Sequence, residues 1–299
     1  MRLDDEQASS NFEDRTGRRG GGGMGFGGGG GGGGMFGMLF GLVLSRFGIG
    51  GVLLLALGYC ALSALGGGGG GLVGPSPAVQ QGGQAGASGL DPQMREMLTR
   101  VLGSTERRWA DLFQRQGQTY RPTTMVAYSR QDRSGCGAAQ AAMGPFYCPT
   151  DQRIYIDPTF FNELSTRFGA AGDFAQAYVI AHEVGHHVQN LTGALDRARE
   201  VQSRASTAEG NEAQVRVELQ ADCYAGVWAA NDRNLLEPGD VEEGMRAAEA
   251  IGDDTLQRQA QGRVVPESFT HGTSAQRMAW LRRGLESGDP RSCDTSGQI

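Results

Sequence analysis

The chain has 299 residues, a formal net charge of -6, 39% hydrophobic residues and 50 glycines. That balance, with no clustered run of basic side chains, argues against a nucleic-acid partner. Most of the glycine excess sits in the first ninety residues, so the remainder has ordinary globular composition and is long enough for one good core.

Residues 1–34 are polar, then glycine-rich, and too poor in apolar surface to offset their ordering entropy, and the unstructured segment is taken to run to residue 46. They read as a disordered tail, whether an interaction segment or a plain tether. Phe47 to Leu65 is an uncharged run whose 19 residues would span about 28 Å as a helix, close to the hydrocarbon core of a bilayer. Arg15, Arg18, Arg19 and Arg46 precede it, and no arginine follows until Arg95. The excess of positive charge before the run predicts a single-pass transmembrane helix with a cytoplasmic N-terminus. The catalytic part would then lie outside the cytoplasmic (inner) membrane of a bacterial cell, in the periplasmic or extracytoplasmic space. A cleaved signal peptide is the rival, but its apolar core is normally shorter and does not follow forty residues of tail. Residues 66–89 read as a flexible linker, and 90–299 as the folded domain.

Within that domain, Asp91 to Gln116 carries apolar residues at helical spacing. Thr124–Ser129 and Arg153–Asp157 are short segments rich in Val, Ile and Tyr, which predicts strands. A short helix is expected over Thr159–Phe168, and a longer one from Asp173 to Thr192, stopped at Gly193. Further helices are expected over Leu195–Ala205, Glu212–Asn231, Asp240–Ile251 and Ser274–Leu285. Helices dominate and a small sheet lies near the front, which is an α+β pattern.

Only four histidines occur in the chain, and His182 and His186 fall at i and i+4 of one predicted helix. Four residues advance a helix by about 400°, so the two imidazoles project from nearly one line. That suits two ligands of one tetrahedral Zn2+, and Glu183 sits where its carboxylate can reach an attacking water. The flanking run AYVIAHEVGHHVQNL is apolar on the same side, and buried His and Glu without partners would be costly. His187, about 100° around from His186, is off the ligand line and reads as an outer or surface residue.

A catalytic zinc usually takes three protein ligands. Glu200, Glu209, Glu212, Glu218 and Asp222 are the downstream candidates. Glu218 and Asp222 stand out as two charges at i and i+4 in the mostly apolar stretch VELQADCYAGVWA. Two carboxylates on one buried stripe repel and lose solvation unless a cation lies nearby. The simplest arrangement has Glu218 on the metal and Asp222 holding the N–H of a ligand histidine.

The runs GPFYCPTDQRIYID, AHEVGHHVQ, ELQADCYAG and THGTSAQRMAWLRRGLESGD resemble the bacterial family of neutral zinc metallopeptidases, over roughly Leu90 to Cys293. HEVGH followed by ELQAD is similar to the gluzincin arrangement. The resemblance implies a mainly helical, zincin-like peptidase domain with a small sheet, Zn2+ as cofactor and a peptide or protein substrate. It also implies that His271 donates to the oxyanion of the tetrahedral intermediate, with Arg277 bracing it or pairing with substrate. By the same resemblance Arg153–Asp157 would be an edge strand holding the substrate backbone, with Tyr155 or Ile156 lining the cleft; an ordinary core strand is the alternative.

In an exported domain, Cys136 and Cys148, which bracket an eleven-residue loop, are expected to be bridged. Cys223 and Cys293 form the second candidate disulfide, with a buried free thiol at Cys223 as the alternative. The reading that follows is a membrane-anchored hydrolase cutting peptide bonds with a zinc-activated water and Glu183 as general base. An inactive zinc-binding envelope scaffold or partner-binding protein is the alternative.

Overall fold

The computed structural model describes residues 1–18, 89–232 and 234–296. The apolar run Phe47–Leu65 and the linker, apart from Gly89, lie outside the described residues. Among the described residues, no helix is long and apolar enough to cross a membrane.

The elements in chain order begin with β1 (Phe12–Asp14) and α1 (Pro92–Arg115). Five strands follow: β2 (Thr124–Ala127), β3 (Gln131–Ser134), β4 (Gly137–Gln140), β5 (Phe146–Cys148) and β6 (Arg153–Ile156). The rest is helical: α2 (Thr159–Thr166), α3 (Asp173–Leu191), α4 (Ala194–Arg204) and α5 (Thr207–Asn231). Then come α6 (Asp240–Ala250), α7 (Asp253–Gln261) and α8 (Ser274–Ser287). Eight helices and two small sheets among the described residues make the α+β fold that the helical periodicities predict.

Local chemistry explains the boundaries. Asp91 accepts from the N–H groups of Gln93 and Met94, and Pro92 follows at the first helical position, where its missing N–H costs nothing. Ser206 and Glu209 form a reciprocal capping box, which starts α5 five residues before the expected Glu212. Thr273 and Gln276 do the same for α8.

The main sheet has the order β1-β2-β6-β5, with β1, β2 and β6 parallel and β5 antiparallel to β6. Strand alternation turns Met125, Ala127, Ile154 and Ile156 toward the helices, where they join Leu98, Leu102, Phe174, Tyr178 and Trp228 in the core. Val126, Tyr128 and Tyr155 face the other way with Cys148 and Ala139, under the β3–β4 hairpin. Strand β6 is therefore internal and not an edge. Tyr155 stacks on Phe146 at 5.2 Å between ring centroids and Ile156 is sealed in the core, so neither is free to line a cleft. The edge positions belong to β1 and β5.

Residues 1–18 correct the expectation of a disordered segment over 1–46. They pack on the domain in one compact unit with the described residues from 89 onward. The backbone N–H of Met125 donates to Asn11 O at 2.9 Å, and that of Arg15 to Ala127 O at 2.8 Å. Polar composition misled here because the segment is held by the backbone ladder and ion pairs, with only Met1, Leu3 and Phe12 packing against the core. Arg15 pairs with Glu13 and Asp132, Arg153 with Glu13, and Arg107 with Glu6.

Both expected disulfides are present. Cys136–Cys148 ties the β3–β4 hairpin to β5, and Cys223–Cys293 ties the C-terminal turn to the middle of α5.

Candidate metal centre

Helices α3 and α5 make the site. They cross where Gly185 meets Ala221: a Cβ at residue 185 would lie 3.0 Å from Ala221 O and 3.1 Å from its Cα. Gly185 sits between His182 and His186, and Ala221 between Glu218 and Asp222. Absence of a side chain at this crossing lets the two pairs face each other.

Glu218 Oε2 lies 3.1 Å from His182 Nε2 and 3.5 Å from His186 Nε2. Ligands about 2.0–2.1 Å from one tetrahedral Zn2+ stand about 3.3 Å apart, so these spacings bracket what one zinc requires. Among the described residues one other group of three acidic or histidine side chains comes as close, Asp173, Asp240 and Glu243, but it is all carboxylate. The imidazole–imidazole–carboxylate set suits zinc, whereas Asp173 and Asp240 of the second group already pair with the Met1 ammonium. In the same place Glu183 is buried, and its Oε2 has no hydrogen-bond partner. A buried carboxylate oxygen with nothing to bind is costly unless it serves a ligand.

Each donor is oriented by a second residue. Asp222 Oδ1 lies 2.8 Å from His182 Nδ1, so that nitrogen carries the proton and Nε2 turns toward Glu218. Gln189 Oε1 does the same for His186 Nδ1 at 2.8 Å, while its own amide donates to Val217 O and Gln220 Oε1. Gln214 donates to Glu218 Oε1 at 2.8 Å, which leaves Oε2 for the metal side. Asp222 in turn accepts from Tyr178 Oη at 2.6 Å and from Arg277 through Nε and Nη2, each at 2.9 Å. Arg277 is buried in this cluster and braces Asp222.

Electrostatics follow from the geometry. Burial alone would lower His182, but the negative charges of Asp222 and Glu218 win and hold it up at about 10 in the metal-free site. Burial alone would raise Asp222, but Arg277 and His182 pull it down to about 2. Glu218 is likewise driven well below its usual value, against burial, by His186, His271 and His182. The site is an anionic cradle that holds a proton on His182 until a cation replaces it.

His271 is half-buried; the Glu218 carboxylate helps hold its imidazole above the usual histidine value, and the imidazole helps hold Glu218 down. Its loop is pinned by Asp253, whose Oδ2 accepts from the backbone N–H groups of Thr270 at 2.7 Å, His271 at 2.6 Å and Gly272 at 3.1 Å. Asp253 Oδ1 lies 3.3 Å from His271 Nδ1. Gly272 adopts φ +86°, and a Cβ there would meet Val215 at 3.2 Å and Leu219 at 3.3 Å, on either side of Glu218 along α5.

His187 is not at the surface. Its Nε2–H donates to Arg121 O at 2.6 Å, so Nδ1 accepts from the Tyr147 hydroxyl at 3.0 Å. This fixes β5 to the metal-site helix. Gln189, Gln214, Tyr178 and Asp253 were not singled out in the sequence. The first three sit three or four residues from a candidate ligand, a spacing that could have found them; Asp253 carries no such local signal.

Two His and one Glu donor at zinc spacing, with an unpartnered Glu beside them, define a zinc-hydrolase type of centre. The chain belongs to the family described as "Putative neutral zinc metallopeptidase", whose model matches residues 1–296. Zn2+ is the cofactor that membership implies, and His182, His186 and Glu218 are the residues able to hold it. The chain is 44% identical to the uncharacterized protein YpfJ of Escherichia coli strain K12 over 304 aligned residues, covering 100% of this chain and 99% of that one. It is 48% identical to the uncharacterized protein Rv2575 of Mycobacterium tuberculosis strain H37Rv over 184 residues, 57% of this chain and 61% of that one. No solved structure matches it.

Proposed function

We propose that this chain is an active, gluzincin-like zinc peptidase that hydrolyses peptide bonds in the bacterial envelope. The observation that carries the reading is the triangle of His182, His186 and Glu218 donors at zinc spacing beside the unpartnered Glu183 oxygen. A purely structural zinc is usually closed by four protein ligands and has no use for an ionisable group beside it.

Bound zinc supplies polarisation of the scissile carbonyl and acidifies the attacking water. Glu183 accepts that water's proton and later hands it to the leaving amine. His271, held by Asp253, donates to the developing oxyanion. Asp222 and Gln189 keep the two histidines in the tautomer that offers Nε2. A substrate backbone adds as a strand along the open edge of β5, which Tyr147 and His187 anchor to the metal-site helix. Two disulfides support an oxidising compartment outside the cytoplasm.

The test is hydrolysis of a mixed peptide library by the zinc-loaded full chain beside Glu183→Gln. Cleavage by the parent, with loss in a variant that keeps its zinc, is the expected result. Equal cleavage by both would remove Glu183 from the mechanism. A zinc-bound parent that cuts nothing would favour the scaffold alternative.

A further inference from the structure

Residue 18 and residue 89 bound a stretch of seventy residues, 19–88, and the structure brings its two ends together. The N–H of Gly89 donates to Thr16 Oγ1 at 3.2 Å, and Thr16 Oγ1 donates to Asp14 Oδ1 at 2.6 Å. Arg95, in the first turn of α1, reaches Asp14 Oδ2 at 3.2 Å. Beyond this stem, residues 1–14 are bound along their length. The guanidinium of Arg100 donates to the carbonyls of Leu3 and Glu6 at 2.8 and 2.7 Å. Ser9 N–H donates to Thr99 O, and the Ser9 hydroxyl to Glu106 at 2.7 Å. Strand β1 then pairs with β2 over Phe12, Glu13 and Asp14.

One crossing of a bilayer separates the two ends of a segment by about 30 Å of hydrocarbon. Thr16 and Gly89 are in hydrogen-bond contact. We propose that residues 1–18 and the peptidase domain occupy the same side of the membrane. A lipid bilayer is the partner because the stretch contains the uncharged run Phe47–Leu65. On this proposal the chain does not cross once between a cytoplasmic N-terminus and an outer domain. The charge count behind that expectation also weakens, since Arg15 is paired with Glu13 at 2.8 Å and Asp132 at 3.0 Å and is not a free topology signal. Thr16 and Gly89 thus lie together on the domain's side.

The test uses the full chain in bacterial membranes, with Cys60→Ser to remove the cysteine outside the two disulfides. Ser10→Cys and Ser203→Cys, both exposed, are labelled separately in spheroplasts with a membrane-impermeant maleimide, before and after lysis. The expected result is that lysis raises the labelling of both positions or of neither. Labelling of one before lysis and of the other only after it would overturn the proposal. A second readout is Thr16→Cys with Gly89→Cys, which should close a disulfide on mild oxidation and shift the mobility of the denatured chain. Failure to crosslink would equally overturn it.

Discussion

Asp222 Oδ1 stands 2.8 Å from His182 Nδ1, and Arg277 grips both oxygens of the same carboxylate through two nitrogens at 2.9 Å. The bond fixes the imidazole with Nε2 toward Glu218, while the arginine keeps Asp222 ionised in a site without solvent. Asp222→Asn should therefore keep the fold and weaken zinc binding by about 10–100-fold, the usual cost of losing an outer partner of a ligand histidine. Competition with a chromophoric chelator would measure it. Arg277→Leu leaves the buried carboxylate unpaired and should destabilise the domain by about 3–5 kcal/mol in urea unfolding; an unchanged midpoint would show that Asp222 has another counter-charge.

Glu218→Ala removes a donor outright and should lower zinc affinity by more than that ~10–100-fold. Metal content of the purified variant after dialysis is the readout. Zinc retained at the parental level would reassign the third ligand.

Zinc uptake should be linked to pH. His182 is held at about 10 in the metal-free site, so near neutrality a cation must displace its proton. The sign is definite: apparent affinity rises as pH rises, by about tenfold per unit for one released proton, up to the region of 10. Removing zinc should return that proton. For the metal-free domain, the stabilisation from a charged His182 is complete below its ordinary value near 6.5 and lost as pH climbs through about 10. Titrations at pH 6, 7 and 8 with buffers of different ionisation heat would count the protons, and a flat profile would contradict the geometry.

Asp253 is held below its ordinary value: burial alone would raise it, but His271 and the backbone N–H groups of His271 and Thr270 outweigh that. A lowered carboxylate contributes stability above about 3.9, its unfolded value, and loses it as pH falls through the lower folded value. Asp253→Asn should thus cost about 1.5–3 kcal/mol at pH 7, and the gap to the parent should shrink below pH 4. If Asp253 positions His271 for catalysis, kcat falls with KM little changed; a loss confined to stability would restrict it to the loop.

The disulfides should differ in what they contribute. Loop closure over sequence separations of 12 and 70 predicts about 3 kcal/mol for Cys136–Cys148 and about 4 kcal/mol for Cys223–Cys293. Paired serine substitutions compared by denaturant unfolding would check the order. Loss of the first pair should also loosen β5 and raise KM, whereas loss of the second acts on α5.

The metal site was legible in the sequence because its ligands come from two helices, and helical geometry makes i and i+4 neighbours wherever the helix lies. His182 with His186, Glu218 with Asp222, and the helix starts at Pro92 and Ser274 were readable for that local reason. Gln189 and Gln214 were equally within reach. Tertiary structure alone decided which strand is the edge, that Asp253 holds the loop of His271, and that the N-terminal segment closes the sheet. Strands of three or four residues such as FED, QDRS and FYC carry too little alternation to be recognised, and Phe12 of FED pairs with Met125, more than a hundred residues on. Pairing of that kind is fixed by hydrogen bonds across the fold, which no window along the chain contains.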